Sequence, residues 1–188
     1  MKTYSFNHFL ALIVAGVLAS CADTATPTKV LVSTASRPDN SSATQLFQAV
    51  NAYRSGQGDP ELKRHAGLDQ LARKHCEYLR DHHGTFSLEG KNVSHMGFEG
   101  RTLVARQIYN MPNVSENVAA ANHAGGNPVA ALLTLMKGNK VQQKNMLDTW
   151  THTGVGVVMA PDGTAIATQL FATQSMIQVG GSHQFNRF

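Results

Sequence analysis

The pattern of apolar positions changes its period along this chain. Apolar residues at helical spacing predict helices over residues 43–54, from about 68 to 83, over 99–109 and over 127–136. Residues 153–160 and 164–172 are instead rich in Val, Ile, Thr and Phe, and the turn residues 161–163 separate them, so they predict an antiparallel hairpin. Helices followed by a hairpin predict an α+β fold in which helices cover an antiparallel sheet.

Several boundaries of these helices follow from particular residues. Ser42 is a plausible N-cap of the first helix, and Asn127 with Pro128 marks the start of the last. In the helix over 99–109, we expect Leu103, Val104 and Ile108 to point inward.

The first forty residues have a different character. Lys2 precedes an apolar run from Phe9 to Leu18, and the run ends on Leu18-Ala19-Ser20-Cys21, which looks like a bacterial lipoprotein signal. We therefore expect residues 1–20 to be removed and Cys21 to carry acyl chains that hold the protein on a membrane. Residues 21–42 then form a flexible spacer, 43–173 the folded domain and 174–188 a loose tail. The predicted location is the cell envelope, with the outer membrane expected in a host that has two.

Charge and cysteine usage exclude several classes of protein. The formal net charge is only +4, and the basic residues, among them Arg54, are scattered along the helices, which indicates a solvated surface and no nucleic-acid partner. Cys76 lies on the apolar face of the second helix and is expected to be a buried, inert thiol. With Cys21 acylated, it is the only thiol left, so no intramolecular disulfide is predicted. No familiar hydrolase, zinc-protease or phosphate-loop motif is present.

Six short segments, in this order, resemble the CAP superfamily, the SCP-like proteins that include cysteine-rich secretory proteins and plant pathogenesis-related proteins. They are residues 50–54, 68–75, 94–95, 115–119, 144–147 and 154–158. The resemblance covers roughly residues 44–173. It implies a three-layer α-β-α sandwich around a central antiparallel sheet, with a cleft lined by two histidines and two acids that holds a divalent metal in some members.

The resemblance assigns only part of that cleft to this sequence. The first histidine matches His95 and the acid of the family's Glu-Asn pair matches Glu116, with Asn117 beside it, but the second histidine is replaced by Gln142. Because a stable zinc site normally needs three protein ligands, we expect weak Zn²⁺ binding at His95 or none, and no cofactor. His123 or His152 could substitute for the missing histidine.

Three functions remain open at this point. The chain is expected to be a non-catalytic envelope protein that binds a small ligand, lipid or peptide in the cleft formed by His95, Glu116, Asn117 and Gln142. The alternatives are an envelope hydrolase for peptide or cell-wall material, with Glu116 as general base and His95 as acid or metal ligand, and a structural protein that only docks an envelope partner. In a binding role, Glu116→Gln is expected to melt almost normally.

Overall fold

The computed structural model describes residues 41–82, 95–122 and 126–175. Its helices are α1 (Ser41–Gly56), α2 (Ala66–Asp81), α3 (Phe98–Tyr109), α4 (Pro128–Gly138) and α5 (Lys140–Leu147), and its strands are β1 (Lys63–Arg64), β2 (Asn113–Ala121), β3 (His152–Met159) and β4 (Ala165–Thr173). The predicted signal, Cys21, almost the whole spacer, His123 and residues 176–188 lie outside the described residues.

The strands form one sheet in the order β1-β3-β4-β2. The predicted hairpin is confirmed, because β3 and β4 pair antiparallel from His152 opposite Ala172 to Met159 opposite Ala165. Strand β2 pairs antiparallel with the other side of β4 and places Glu116 opposite Leu170. The two residues of β1 run parallel to β3, so the sheet is mixed at that edge.

Helices cover both faces of the sheet, which confirms the predicted α-β-α sandwich. On one face, Leu68 and Ala72 of α2 and Ala105 of α3 pack on Leu170 and Ala172 of β4. On the other, α1, α4 and α5 bury apolar side chains against β3, β4 and alternate residues of β2; these side chains are Leu46, Val50, Leu132, Met136 and Met146. Consecutive side chains of β2 therefore enter different layers.

Helix α2 lies unusually close to β3 because that strand contains Gly154 and Gly156. A Cβ at Gly154 would collide with the backbone of Leu68, and one at Gly156 would come within 2.6 Å of the Cα of Arg73. This close approach places the buried face of α2, including His75, directly over β4. The apolar face predicted for this helix is confirmed, and Cys76 is fully buried.

Other expectations about the helices are corrected. Ser42 lies inside α1, which begins at Ser41. Arg54 is not on a solvated surface: it is 1% exposed, and its guanidinium donates to the carbonyl oxygens of Pro60 (2.9 Å), Met146 (2.6 Å) and Asp148 (2.9 Å). This buried cation joins the end of α1 to the end of α5.

Helix α3 turns a different face to the sheet from the one expected. Ala105 is buried, whereas Leu103 and Ile108 are 43% and 69% exposed. The reason is that Arg101, one turn before Ala105, bonds to Glu116 of β2, and Tyr109, one turn after it, packs with Ala105 in the same layer. The row of residues that faces the sheet is therefore Arg101, Ala105 and Tyr109.

Candidate functional site

The centre of the site is the carboxylate of Glu116, whose side chain is 1% exposed. It points from β2 into the layer formed by α2 and α3. Arg101 binds both of its oxygens: Nε donates to Oε2 at 2.7 Å and Nη2 to Oε1 at 2.8 Å. His95 Nδ1 lies 3.0 Å from the same Oε1. Such a bidentate, charge-assisted pair is among the stronger polar contacts in proteins.

These contacts set the charge state of Glu116. Burial alone would raise the pKa of this carboxyl, but the hydrogen bonds from His95 and Arg101, together with the Arg101 charge, outweigh burial and hold the pKa below its ordinary value. Glu116 is therefore an ionised carboxylate that a fixed cation neutralises. It has little capacity left to accept a proton from a substrate or a water molecule.

His95 is the part of this group that reaches solvent, with 40% of its side chain exposed. Since an ionised carboxylate only accepts hydrogen bonds, Nδ1 of His95 donates to Glu116. In the neutral ring, Nε2 then carries the free lone pair. The turn over residues 95–97 is tied to α3, because Phe98 N donates to His95 O at 3.0 Å and Arg101 Nη1 donates to Met96 O at 2.9 Å.

A second imidazole, His75 of α2, lies on the inner side of Glu116. Its Nδ1 is 3.1 Å from Thr168 Oγ1 and 3.7 Å from Glu116 Oε2, and its Nε2 is buried without a hydrogen-bond partner. Burial lowers the pKa of His75 to about 4, although the charge of Glu116 acts in the opposite direction. His75 is therefore neutral near pH 7, and its contact with Glu116 is not an ion pair.

Asn117 and Gln142 belong to the joint between β2 and α5. The fully buried Asn117 donates from Nδ2 to Gln142 O at 2.9 Å and accepts from Asn145 Nδ2 at 2.9 Å. Gln142 donates from Nε2 to Val118 O at 2.9 Å, while its Oε1 is buried and unpartnered. Because β2 is an edge strand, the Gln142 amide satisfies part of its free edge. Neither Asn117 nor Gln142 shares a hydrogen bond with His95.

The proposed substitute histidine His152 lies elsewhere. It begins β3, and its ring lies 6.1 Å from the ring of His65. Two strand spacings, roughly 10 Å, separate β3 from β2. Within residues 41–82, 95–122 and 126–175, no group of three or more His, Cys, Asp or Glu side chains is arranged to hold a metal ion.

Sequence reasoning missed two residues of this site, His75 and Arg101. His75 lies on the apolar face of the second helix and ends the segment 68–75, and an imidazole on such a face already indicates a buried polar partner. Nothing in the local pattern marks Arg101, because its role depends on the packing of α3 beside β2. Glu116 itself lies within β2, a strand that the apolar pattern did not predict.

The domain is an α-β-α sandwich in which Glu116 of the edge strand β2 pairs with the imidazole of His95. Comparison with known proteins identifies the class to which this domain belongs. The family model described as the cysteine-rich secretory protein family, CAP, matches residues 47–174. The chain belongs to this family. Among proteins with curated descriptions, none matches the chain significantly.

Solved structures show the same fold. An outer surface protein from Borrelia burgdorferi superposes with a TM-score of 0.57 at 13% identity, over 72% of this chain and 95% of that one. An extracellular protein containing a SCP domain from Bacillus anthracis gives 0.54 at 24% identity, and a cysteine-rich secretory protein from Staphylococcus aureus gives 0.53 at 16%. The matches cover 72% and 74% of this chain but only 41% of each of those two proteins.

Proposed function

We propose that this chain is a lipid-anchored, non-catalytic CAP-domain protein of the cell envelope that binds a small ligand, lipid or peptide through His95. The observation that carries the proposal is the bidentate contact of Arg101 with Glu116. A general base needs a free oxygen within reach of the proton that it removes, and both oxygens of this carboxylate already accept hydrogen bonds. The exposed His95 ring remains available for contact with a ligand.

Weak metal binding is part of the same proposal. Zinc in catalytic sites is normally held by three protein ligands. Here Nε2 of His95 is the accessible atom that can coordinate a metal. Arg101 already binds the carboxylate of Glu116. The Gln142 amide is a poor transition-metal ligand and is bonded to Val118. Titration calorimetry with Zn²⁺ should therefore give weak, exchangeable binding, and tight stoichiometric binding would contradict the proposal.

Membrane attachment is proposed to occur through Cys21. The support is the sequence Leu18-Ala19-Ser20-Cys21 after an apolar run, and the burial of Cys76, which leaves that thiol inaccessible to acylation. None of the helices in the described ranges is sufficiently long and apolar to cross a bilayer. Cell fractionation should release a Cys21→Ser variant from the membrane; retention equal to that of the unmodified protein would refute the anchor.

The binding role is tested with envelope extract. The immobilised protein is incubated with extract and washed, and bound small molecules, lipids and peptides are identified by mass spectrometry. A specific component should be retained by the unmodified protein and by His152→Ala, a control that removes a histidine outside the site, but lost by His95→Ala. That component should be chemically unchanged.

Two results would replace the proposal with one of its alternatives. Release of cleaved peptide or cell-wall fragments by the unmodified protein but not by His95→Ala would make the protein a hydrolase. Equal retention of every component by the unmodified protein and by His95→Ala would leave a docking role, in which the His95-Glu116 pair only stabilises the fold.

A further inference from the structure

A cavity of about 460 Å³ lies at the end of the sheet where β2 begins and β4 ends. Small-molecule sites commonly occupy roughly 300–1,000 Å³, so the cavity is large enough for a ligand. Its polar and aromatic lining comes from four separate parts of the chain: Thr102, Asn113, Asp148, Thr149, Trp150 and Thr173.

The walls of this cavity are held in place by contacts of their own. Arg54 Nη1 donates to Asp148 O at 2.9 Å, and Trp150 Nε1 donates to Asn145 O at 2.8 Å. The indole also stacks on Phe171, with ring centroids 6.3 Å apart and an angle of 28° between the planes. A site whose groups are already fixed loses little conformational entropy when a ligand binds.

The Oγ1 of Thr102 lies behind the wall of the cavity. It is buried and has no hydrogen-bond partner. Because this oxygen is closed off from solvent, a ligand in the cavity contacts only the exposed groups of the lining. Asn113 and Asp148 are exposed and supply an amide and a carboxylate to the cavity; Oδ1 of Asp148 also accepts from Thr149 N at 2.7 Å.

The lining indicates the chemistry of the ligand. Hydroxyl groups, an amide and a carboxylate surround the edge of an indole, and the described lining contains no Lys, Arg or His, so an anion is disfavoured. Donors and acceptors are mixed beside an aromatic surface, an arrangement that suits a neutral molecule with many hydroxyl groups. We propose that this cavity binds a neutral saccharide. The site is separate from His95 and does not depend on the function proposed above.

Trp150 allows a direct test because it is the only tryptophan in the chain. Its fluorescence is followed while glucose, N-acetylglucosamine or diacetylchitobiose is added to the purified protein, and saturation-transfer NMR detects any saccharide that binds without changing the emission. At least one saccharide should bind saturably, with a dissociation constant of about 1 mM or tighter.

Matched variants locate the bound saccharide. Asn113→Ala removes an exposed amide from the lining and should weaken binding about tenfold, while its melting temperature stays close to that of the unmodified protein because this side chain is exposed. Gln107→Ala removes an exposed amide in α3 that is not part of the lining and should not change binding. His95→Ala should also bind the saccharide normally.

Several results would overturn the proposal. One is the lack of saturable binding by all three saccharides in both measurements. A second is equal saccharide affinity of Asn113→Ala and the unmodified protein. A third is loss of binding in His95→Ala, which would place the saccharide at the other site. Binding of putrescine but of no saccharide, abolished by Asp148→Asn, would make this a cation site.

Discussion

Buried His75 should make the stability of the domain depend on pH. Burial lowers the pKa of this imidazole to about 4 in the folded protein, whereas an unfolded chain has a histidine pKa of about 6.5. The unfolded state therefore binds the proton more readily. The contribution of His75 is complete above about pH 6.5 and is lost as the pH falls from about 6.5 to about 4.

The magnitude follows from the difference between these two pKa values. A difference of about 2.5 corresponds to about 3 kcal/mol over the whole interval, of which about 2 kcal/mol is lost between about pH 7 and pH 5. The variant His75→Gln should lack this contribution, because glutamine does not titrate. Its amide can still bond to Thr168, which contacts His75 in the parent protein.

Urea denaturation at about pH 7 and pH 5 measures the effect as a difference between two proteins. The loss of unfolding free energy on acidification should be about 2 kcal/mol smaller in His75→Gln than in the parent protein. His152→Gln is the matched control: this ring is half-buried, so its removal should change the pH dependence much less. An identical loss in His75→Gln and the parent would refute the reasoning.

Three substitutions test the packing that supports the site, each by denaturation. Arg54→Ala should lower the free energy of unfolding by about 3 kcal/mol or more, because three backbone carbonyls lose a buried donor. Arg106→Ala, at an exposed position, should change it by less than about 0.5 kcal/mol. Equal effects of the two substitutions would contradict the buried role of Arg54. Gly156→Ala should lower the free energy of unfolding by about 1–3 kcal/mol, because the added methyl group forces α2 away from β3. Gly100→Ala, at an exposed position of α3, should be neutral or stabilising. Unchanged stability in Gly156→Ala would disprove the close packing of α2 on β3. Asn117→Ala should cost about 1–3 kcal/mol through loss of the β2-α5 joint, and a cost near zero would show that the joint is not needed.

The sequence predicted the elements whose local signals agree with their packing. The apolar face of α2 was evident from its spacing, and α4 begins where Asn127 and Pro128 indicated, with Asn127 Oδ1 accepting from Ala130 N at 3.0 Å. The hairpin turn and its β-rich flanks likewise specified β3 and β4. In these segments, capping, turn chemistry and periodicity all favour one structure.

The missed elements are those that tertiary contacts determine. Strand β2 contains the alanine-rich stretch 118–121, whose composition does not favour a strand, and it is held by its nine-residue pairing with β4. Helix α5 is short and mostly polar, so it lacks an apolar face. The orientation of α3 was wrong because the inward placement of Arg101 depends on a carboxylate in another element.

The same ion pair changes what a charge-removing substitution at Glu116 should do. The sequence alone suggested that Glu116→Gln would melt almost normally. With Arg101 only 10% exposed against this side chain, the substitution leaves a largely buried guanidinium without its anion. Removing one partner from a buried ion pair often costs about 3–5 kcal/mol. Glu116→Gln therefore cannot separate binding from folding, and the exposed His95 is the better position for that test.

The central claim is that Arg101 neutralises Glu116 and so removes it from acid-base chemistry. Carbon-13 NMR of the Glu116 carboxyl during a pH titration tests this claim directly. The account predicts a midpoint below the ordinary glutamate value of about 4.3, and a clearly higher midpoint in Arg101→Met, where burial acts without the cation. A Glu116 midpoint of about 6 or above in the unmodified protein, as expected for a carboxyl poised for general acid-base catalysis, would contradict it.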